Sequence, residues 1–266
     1  MSGIEVNGTT LEVLDRGEGR PVVFIHGVMC SGRFFARQAD HFADRFRVIV
    51  PDLRGHGESD KPSSGHTVGA YAEDMRALFG TLGIERPVVV GWSMGSMIAY
   101  EYLKRYGGTS LAGLVIVDQP PSDFAWPDYE FGFFTPEILD QTLEELQTSP
   151  GALIDMLVGL MLHEPAAGDV EWMRAELQKV PDAIAATILV SQTLKDYRAF
   201  LPEIQVPTLV AFGTDPKLSS PDAGAYIAQR IPGAKLELFE ASSHAPFWEE
   251  PDRFNAVLEN FLAGLD

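Results

Sequence analysis

The feature that most constrains this chain is a series of short, continuous apolar runs rich in valine and isoleucine, each ending at glycine or aspartate. "PVVFIHG" (21–27), "RFRVIVPD" (45–52), "RPVVVGW" (86–92) and "LAGLVIVD" (111–118) recur through the first half. A strand with one wet face would alternate apolar and polar residues, whereas these runs do not, as expected of strands buried on both faces. Amphipathic, helix-like stretches at 32–43, 67–82 and from about Met94 to Tyr106 separate them. A βαβα order of this kind predicts a parallel sheet with helices on both faces. Ahead of it, "GIEVNGTTLEVLD" reads as two strands joined at Asn7-Gly8, a strong hairpin signal.

The rhythm breaks after Asp118. From Gln119 to about Pro202 no buried strand is evident, and four segments ("EILDQTLEELQ", "GALIDMLVGLMLH", "VEWMRAELQKV" and "IAATILVSQTLKDYRAFL") read as successive helices. The β-rhythm resumes with "VPTLVAFG", a helix near 222–230, "AKLELFE" and a closing helix at 252–264. The expected organisation is one catalytic domain, 1–118 with 203–266, interrupted by a helical cap at 119–202.

Composition bounds the function classes. The 266 residues carry 38 acidic and 20 basic side chains, a formal charge of −18. Such a field repels nucleic acid and anionic lipid, so neither is expected as a partner. Cys30 is the one cysteine, which excludes an intrachain disulfide and fits a reducing compartment. The polar, acidic N-terminal stretch has neither a basic n-region nor an apolar h-region, and no membrane span is evident, so a cytoplasmic location is expected.

Chemistry concentrates at Gly91-Trp92-Ser93-Met94-Gly95, a G-x-S-x-G sequence with a strand before it and a helix after it. A strand that becomes a helix this abruptly strains the backbone at the serine and leaves no room for side chains at the flanking positions. A helix starting there also directs unsatisfied N–H groups, Met94 first, at the reacting atoms. Serine needs a base, and the base needs an orienting carboxylate.

Three segments, "FIHGVMCSG" (24–32), "PDLRGHGESDKP" (51–62) and "VVGWSMGSMIA" (89–99), together with the C-terminal "FEASSHAPFWEEPDRFNAVLENFL", resemble the α/β-hydrolase family. The resemblance is to its cap-bearing esterases, non-haem haloperoxidases and enol-lactonases. It implies a mostly parallel, eight-stranded sheet, a Ser93 nucleophile, a His244 base, and an oxyanion hole formed by the Val28 and Met94 N–H groups. The acid stays open between two aspartates. Gly213-Thr214-Asp215-Pro216 places its aspartate one position early for the family's late Gly-x-x-Asp turn, which favours Asp118 over Asp215.

His26 is expected to be structural, as are Asp52, Arg54, His56 and Ser59, bracing the oxyanion segment. Cys30 is expected in the core or pocket, and His41, His66 and His163 at the surface or in the cap. Trp92, Phe124, Trp126 and Phe247 are expected to line the substrate pocket, within a wider aromatic group that includes Tyr129, Phe131, Phe133 and Phe134. No metal or organic cofactor is expected. The function implied is hydrolysis of small hydrophobic carboxylic esters, with lactones and thioesters open. Carbon–carbon bond hydrolysis and cofactor-free perhydrolysis, as in haloperoxidases, would use the same triad. A small-molecule receptor on a hydrolase fold is the alternative of another class.

Overall fold

A computed structural model describes residues 1–265. Its sheet comprises β1 (Ser2–Val6), β2 (Thr9–Arg16), β3 (Pro21–Ile25), β4 (Arg47–Pro51), β5 (Val88–Trp92), β6 (Gly113–Val117), β7 (Thr208–Gly213) and β8 (Lys235–Phe239). The spatial order is β1-β2-β4-β3-β5-β6-β7-β8. β1 and β2 pair antiparallel, β2 runs antiparallel to β4, and every later pairing is parallel. This is the mostly parallel eight-stranded sheet of an α/β-hydrolase fold. The Asn7-Gly8 turn sits at positive φ in both residues, as a two-residue hairpin requires.

The apolar runs occupy the middle of the sheet. Every residue of β5, β6 and β7 is buried, whereas the edge strand β8 carries lysine and glutamate and is partly exposed. The covering helices are α1 (Ala36–Phe42), α2 (Val68–Thr81), α3 (Met94–Tyr106), α8 (Pro221–Arg230), α9 (Pro246–Glu249) and α10 (Pro251–Ala263). Thr67 caps α2 by accepting from the Ala70 N–H, which explains why the helical pattern starts there.

Between β6 and β7 the chain forms α4 (Pro136–Thr148), α5 (Pro150–Met161), α6 (Ala167–Leu177) and α7 (Asp182–Thr193). Prolines open α4 and α5, where a missing N–H costs no hydrogen bond. These helices are tied to the sheet's loops by polar contacts. The buried Glu176 of α6 accepts from the Ser31 hydroxyl at 2.7 Å, Arg33 at 3.1 Å and Lys179 at 2.8 Å. The end of α5 is fastened by the His244 N–H, which donates to the Met161 carbonyl at 3.0 Å, and by the Ser243 hydroxyl on the Leu160 carbonyl at 3.1 Å. Among the described residues, no helix is long and apolar enough to cross a membrane.

Candidate active site

Parallel strands bring their C-terminal ends to one edge of the sheet, and the singled-out residues gather there. Ser93 follows β5 directly and Asp118 follows β6 directly, and the Ser93 N–H donates to the Val117 carbonyl at 3.0 Å. Both residues hold positive φ, 52° for Ser93 and 44° for Asp118. For a residue with a Cβ such a conformation costs about 1–3 kcal/mol and persists only where the surroundings enforce it. Here the enforcement is the speed of the turn. A Cβ on Gly95 would lie 2.0 Å from the Ile25 carbonyl oxygen, and one on Gly91 would lie 2.5 Å from the Ser96 nitrogen.

Ser93 stands at the N-cap of α3, a place where serine ordinarily accepts a hydrogen bond from the first turn. Its side chain makes no such bond. Instead Ser93 lines a cavity of about 280 Å³, with 6% of its surface exposed. Met94 is the first helical residue, so its N–H has no i−4 carbonyl and belongs to the orphaned set at the helix start. Val28 lies on the wall of the same cavity.

His244 follows β8 in the loop before α9. Its Nδ1–H donates to Asp118 Oδ1 at 2.8 Å, leaving Nε2 as the ring nitrogen not engaged by the carboxylate. The second Asp118 oxygen accepts from the Gly213 N–H at 3.0 Å, so both carboxylate oxygens have donors although the side chain is almost fully buried. The His244 carbonyl accepts from Trp92 Nε1 at 2.8 Å, which fixes the histidine loop against the residue preceding Ser93. Asp118 and His244 are therefore paired, and Ser93 stands at the end of the neighbouring strand. Asp215 is not among them: its Oδ2 accepts from His163 Nδ1 at 2.7 Å. That carboxylate raises the His163 pKa above its ordinary value.

The supporting loops are braced by hydrogen bonds, with the buried His56 Nε2 left without a partner. His26 Nδ1–H donates to the Gly27 carbonyl at 2.8 Å while Nε2 accepts from the Leu53 N–H at 3.0 Å, which defines a neutral ring, and burial lowers its pKa. Asp52 accepts from the Gly32 N–H at 2.7 Å and the Glu58 N–H at 2.8 Å, and Ser59 donates to the Asp52 carbonyl at 2.6 Å. Arg54 and Asp74 form a buried two-point pair. His56 donates from Nδ1 to the Arg54 carbonyl at 2.9 Å, and burial holds its pKa well below normal. Burial also pushes the Cys30 thiol well up, so it is not a thiolate. His66 departs from the expected surface or cap position: it is buried, with Nε2 donating to the Pro62 carbonyl at 2.6 Å.

The pocket expectation needs a larger correction. Trp92 is fully buried beneath the elbow, packed on Phe34 and Phe247 at ring-centroid distances of 5.2 and 4.9 Å. Side chains alternate along a strand, so neighbours in sequence face opposite ways, and Trp92 belongs to the core while Ser93 meets the cavity. Phe247 is likewise core, 4.6 Å from Phe35. Phe124 and Trp126 pack against each other with tilted rings, 4.8 Å between centroids, and Trp126 Nε1 donates to Ser122 Oγ at 2.9 Å. None of the four lines the cavity. Its wall is instead aliphatic, with Leu146, Leu153, Leu157 and Leu160 from α4 and α5, closed by Phe133 and Phe134.

One buried acid escaped the sequence reading. Asp123 lies in the loop after β6 and is fully buried. Its carboxylate accepts from Gln119 Nε2 and Gln192 Nε2, both at 2.6 Å. Burial pushes its pKa up to about 6, against the pull of those two amides. Among the described residues, no group of three or more His, Cys, Asp or Glu is arranged to hold a metal ion.

Residues 20–251 match the α/β-hydrolase fold family, and the chain belongs to it. Among curated proteins, it is 30% identical to a putative non-heme chloroperoxidase of Synechocystis, with 96% of each chain covered. Among solved structures, an esterase from Exiguobacterium antarcticum superimposes with a TM-score of 0.93 at 25% identity, covering 97% of each chain. A putative aryl esterase from Burkholderia cenocepacia gives 0.85 at 30% identity, covering 98% of this chain and 97% of the other. The chain is thus similar to hydrolases of esterase and haloperoxidase type.

Proposed function

We propose that the protein is a serine hydrolase that cleaves carboxylic esters of small, largely apolar substrates through an acyl-enzyme on Ser93. The observation that carries this reading is a strained serine that does not cap its own helix. It faces an apolar cavity one strand away from a buried Asp118–His244 pair. A serine placed only to make a turn would have no use for the strain or for the pair.

In this mechanism His244 Nε2 takes the Ser93 proton as Oγ attacks the ester carbonyl. Asp118 keeps the imidazole in the Nδ1–H tautomer and stabilises the imidazolium that forms. The Val28 and Met94 N–H groups hold the oxyanion, and losing one such donor typically costs about 3–4 kcal/mol of barrier. His244 then protonates the leaving alkoxide and deprotonates the water that releases the acid. The leucine wall from α4 and α5 supports an aliphatic acyl or alcohol group in the cavity, which those helices close as a cap.

A perhydrolase uses the same groups with hydrogen peroxide in place of water at deacylation. The similarity to a putative non-heme chloroperoxidase favours it as a second reading. Turnover of p-nitrophenyl esters by the wild-type protein, with and without peroxide, tests both. The Ser93→Ala variant should abolish hydrolysis and peracid formation alike, and unchanged turnover in that variant would overturn the proposal.

A further inference from the structure

His244 is anchored through its ring, its carbonyl and its N–H. Asp118 accepts from the ring at 2.8 Å, and Trp92 Nε1 donates to the carbonyl at 2.8 Å. The N–H donates to the Met161 carbonyl at 3.0 Å, at the end of α5. The last four carbonyls of a helix have no partner within it, and α5 ends at Met161, with Leu162 extended. Two of those carbonyls are satisfied by the loop that carries the base. Met161 takes the His244 N–H, and Leu160 takes the hydroxyl of the buried Ser243 at 3.1 Å.

A carboxylate closes the same joint. Glu249 Oε1 accepts from the His163 N–H at 2.5 Å, just past α5, and Oε2 accepts from the Ser243 N–H at 2.9 Å, just ahead of the base. Lys217, in the turn after β7, donates to the Leu162 and His163 carbonyls, both at 2.8 Å. Each residue from Leu160 to His163 is therefore bonded through its main chain to the base loop, to α9 or to that turn. The other end of the connection is the Ser93 cavity, because α5 supplies Leu153, Met156, Leu157 and Leu160 to its wall. Leu160 belongs to both: it lines the cavity, and its carbonyl takes the Ser243 hydroxyl.

We propose that Ser243 and Glu249 are positioning residues that couple filling of the cavity to placement of His244. An apolar chain packed on α5 restrains the helix, and the bonds at its end pass that restraint to the main chain of the base. Binding energy from a part of the substrate remote from the ester is thereby used for orientation, so it raises the rate of acylation as well as the affinity. The preferred substrate is then an ester whose acyl chain is long enough to cover the α5 side chains, and its preference appears in the chemical step. This rests on the reading of Ser93 as the nucleophile and of the cavity as its substrate site.

Single-turnover release of p-nitrophenol, with protein in excess, separates the acylation rate constant from the dissociation constant. The p-nitrophenyl acetate, butyrate and hexanoate are compared, each rate divided by that ester's rate of hydrolysis by hydroxide. In the wild-type protein the corrected constant should rise about threefold to tenfold from acetate to hexanoate, the worth of roughly one hydrogen bond. Ser243→Ala removes the hydroxyl, and Glu249→Gln leaves one of the two N–H groups facing an NH2. Each variant should lose about threefold to tenfold more acylation rate with hexanoate than with acetate. The hexanoate-to-acetate ratio of dissociation constants should stay within about twofold of wild type, because the α5 wall is untouched and the lost interaction acts on the chemical step.

A joint that served only to stabilise the fold would slow both esters alike, and circular dichroism verifies folding of each variant. Equal losses on acetate and hexanoate, or a rise that survives in either variant, would overturn the proposal. Wild-type protein that acylates on Ser93 with a flat series defeats this inference alone. No acylation of Ser93 by any ester defeats the hydrolase reading and this inference together.

Discussion

Replacing Asp118 with asparagine probes the carboxylate at the point where its geometry is most demanding. Asp118 accepts two hydrogen bonds of fixed direction, from His244 Nδ1–H at 2.8 Å and from the Gly213 N–H at 3.0 Å. Asparagine has one oxygen to offer. The Gly213 N–H is main chain and cannot turn away, so the amide oxygen is drawn to it and the NH2 faces the ring. His244 must then accept at Nδ1 and carry its proton on Nε2, which makes it a donor toward Ser93 where a base is needed. In the serine-protease triad the corresponding change lowers kcat on the order of ten-thousandfold, and a fall of about a thousandfold to ten-thousandfold is expected here.

Asp215→Asn is the control. Asp215 pairs with a partly exposed His163, and interactions of that kind contribute little, so kcat/KM should stay within about threefold of wild type. Steady-state hydrolysis of a p-nitrophenyl ester reads both variants, with far-ultraviolet circular dichroism to verify folding. The reasoning is refuted if Asp215→Asn loses as much activity as Asp118→Asn, or if Asp118→Asn stays within about tenfold of wild type.

Three further outcomes follow from the same geometry. Gly95→Ala would place a methyl 2.0 Å from the Ile25 carbonyl, against backbone that cannot yield cheaply, so thermal melting should show a stability loss of several kcal/mol, about 3 or more, or no folded protein. Asp123 has a folded-state pKa of about 6, raised by burial above its ordinary 3.8. Its contribution to stability is therefore full below about pH 4 and lost as pH rises through 6, a swing of about 3 kcal/mol. Denaturant unfolding of Asp123→Asn should gain on wild type by that order between pH 4 and 7, and a pH-independent difference would contradict the assignment. Leu157→Trp, on the cavity wall, should shorten the preferred acyl chain in a p-nitrophenyl ester series, with the acetate least affected.

What the sequence made legible was set by local physics. The short, valine- and isoleucine-rich runs read as strands buried on both faces, and β5, β6 and β7 are buried at every residue. The elbow was legible because a G-x-S-x-G turn has one workable geometry, seen in the positive φ of Ser93. The pocket wall was not. Trp92 looked like a pocket residue from its place beside Ser93, but strand alternation sends it into the core against Phe34 and Phe247. The wall comes from α4, α5 and α7, whose approach to Ser93 depends on packing that no local pattern encodes. The Asp123–Gln192 bond joins residues 69 positions apart, and neither lies in a motif. Its only trace in the sequence is an aspartate in a proline- and aromatic-rich loop.

The central claim is that Ser93 carries the acyl group. Rapid quenching of the wild-type protein during turnover of a slowly deacylating p-nitrophenyl ester, followed by intact mass and peptide mapping, tests it directly. The account predicts a single acyl increment on the peptide containing Ser93, lost in Ser93→Ala, and one phosphonyl group per chain on the same residue when a fluorophosphonate replaces the ester. An acyl or phosphonyl group on any other residue, or undiminished hydrolysis by Ser93→Ala, would contradict it.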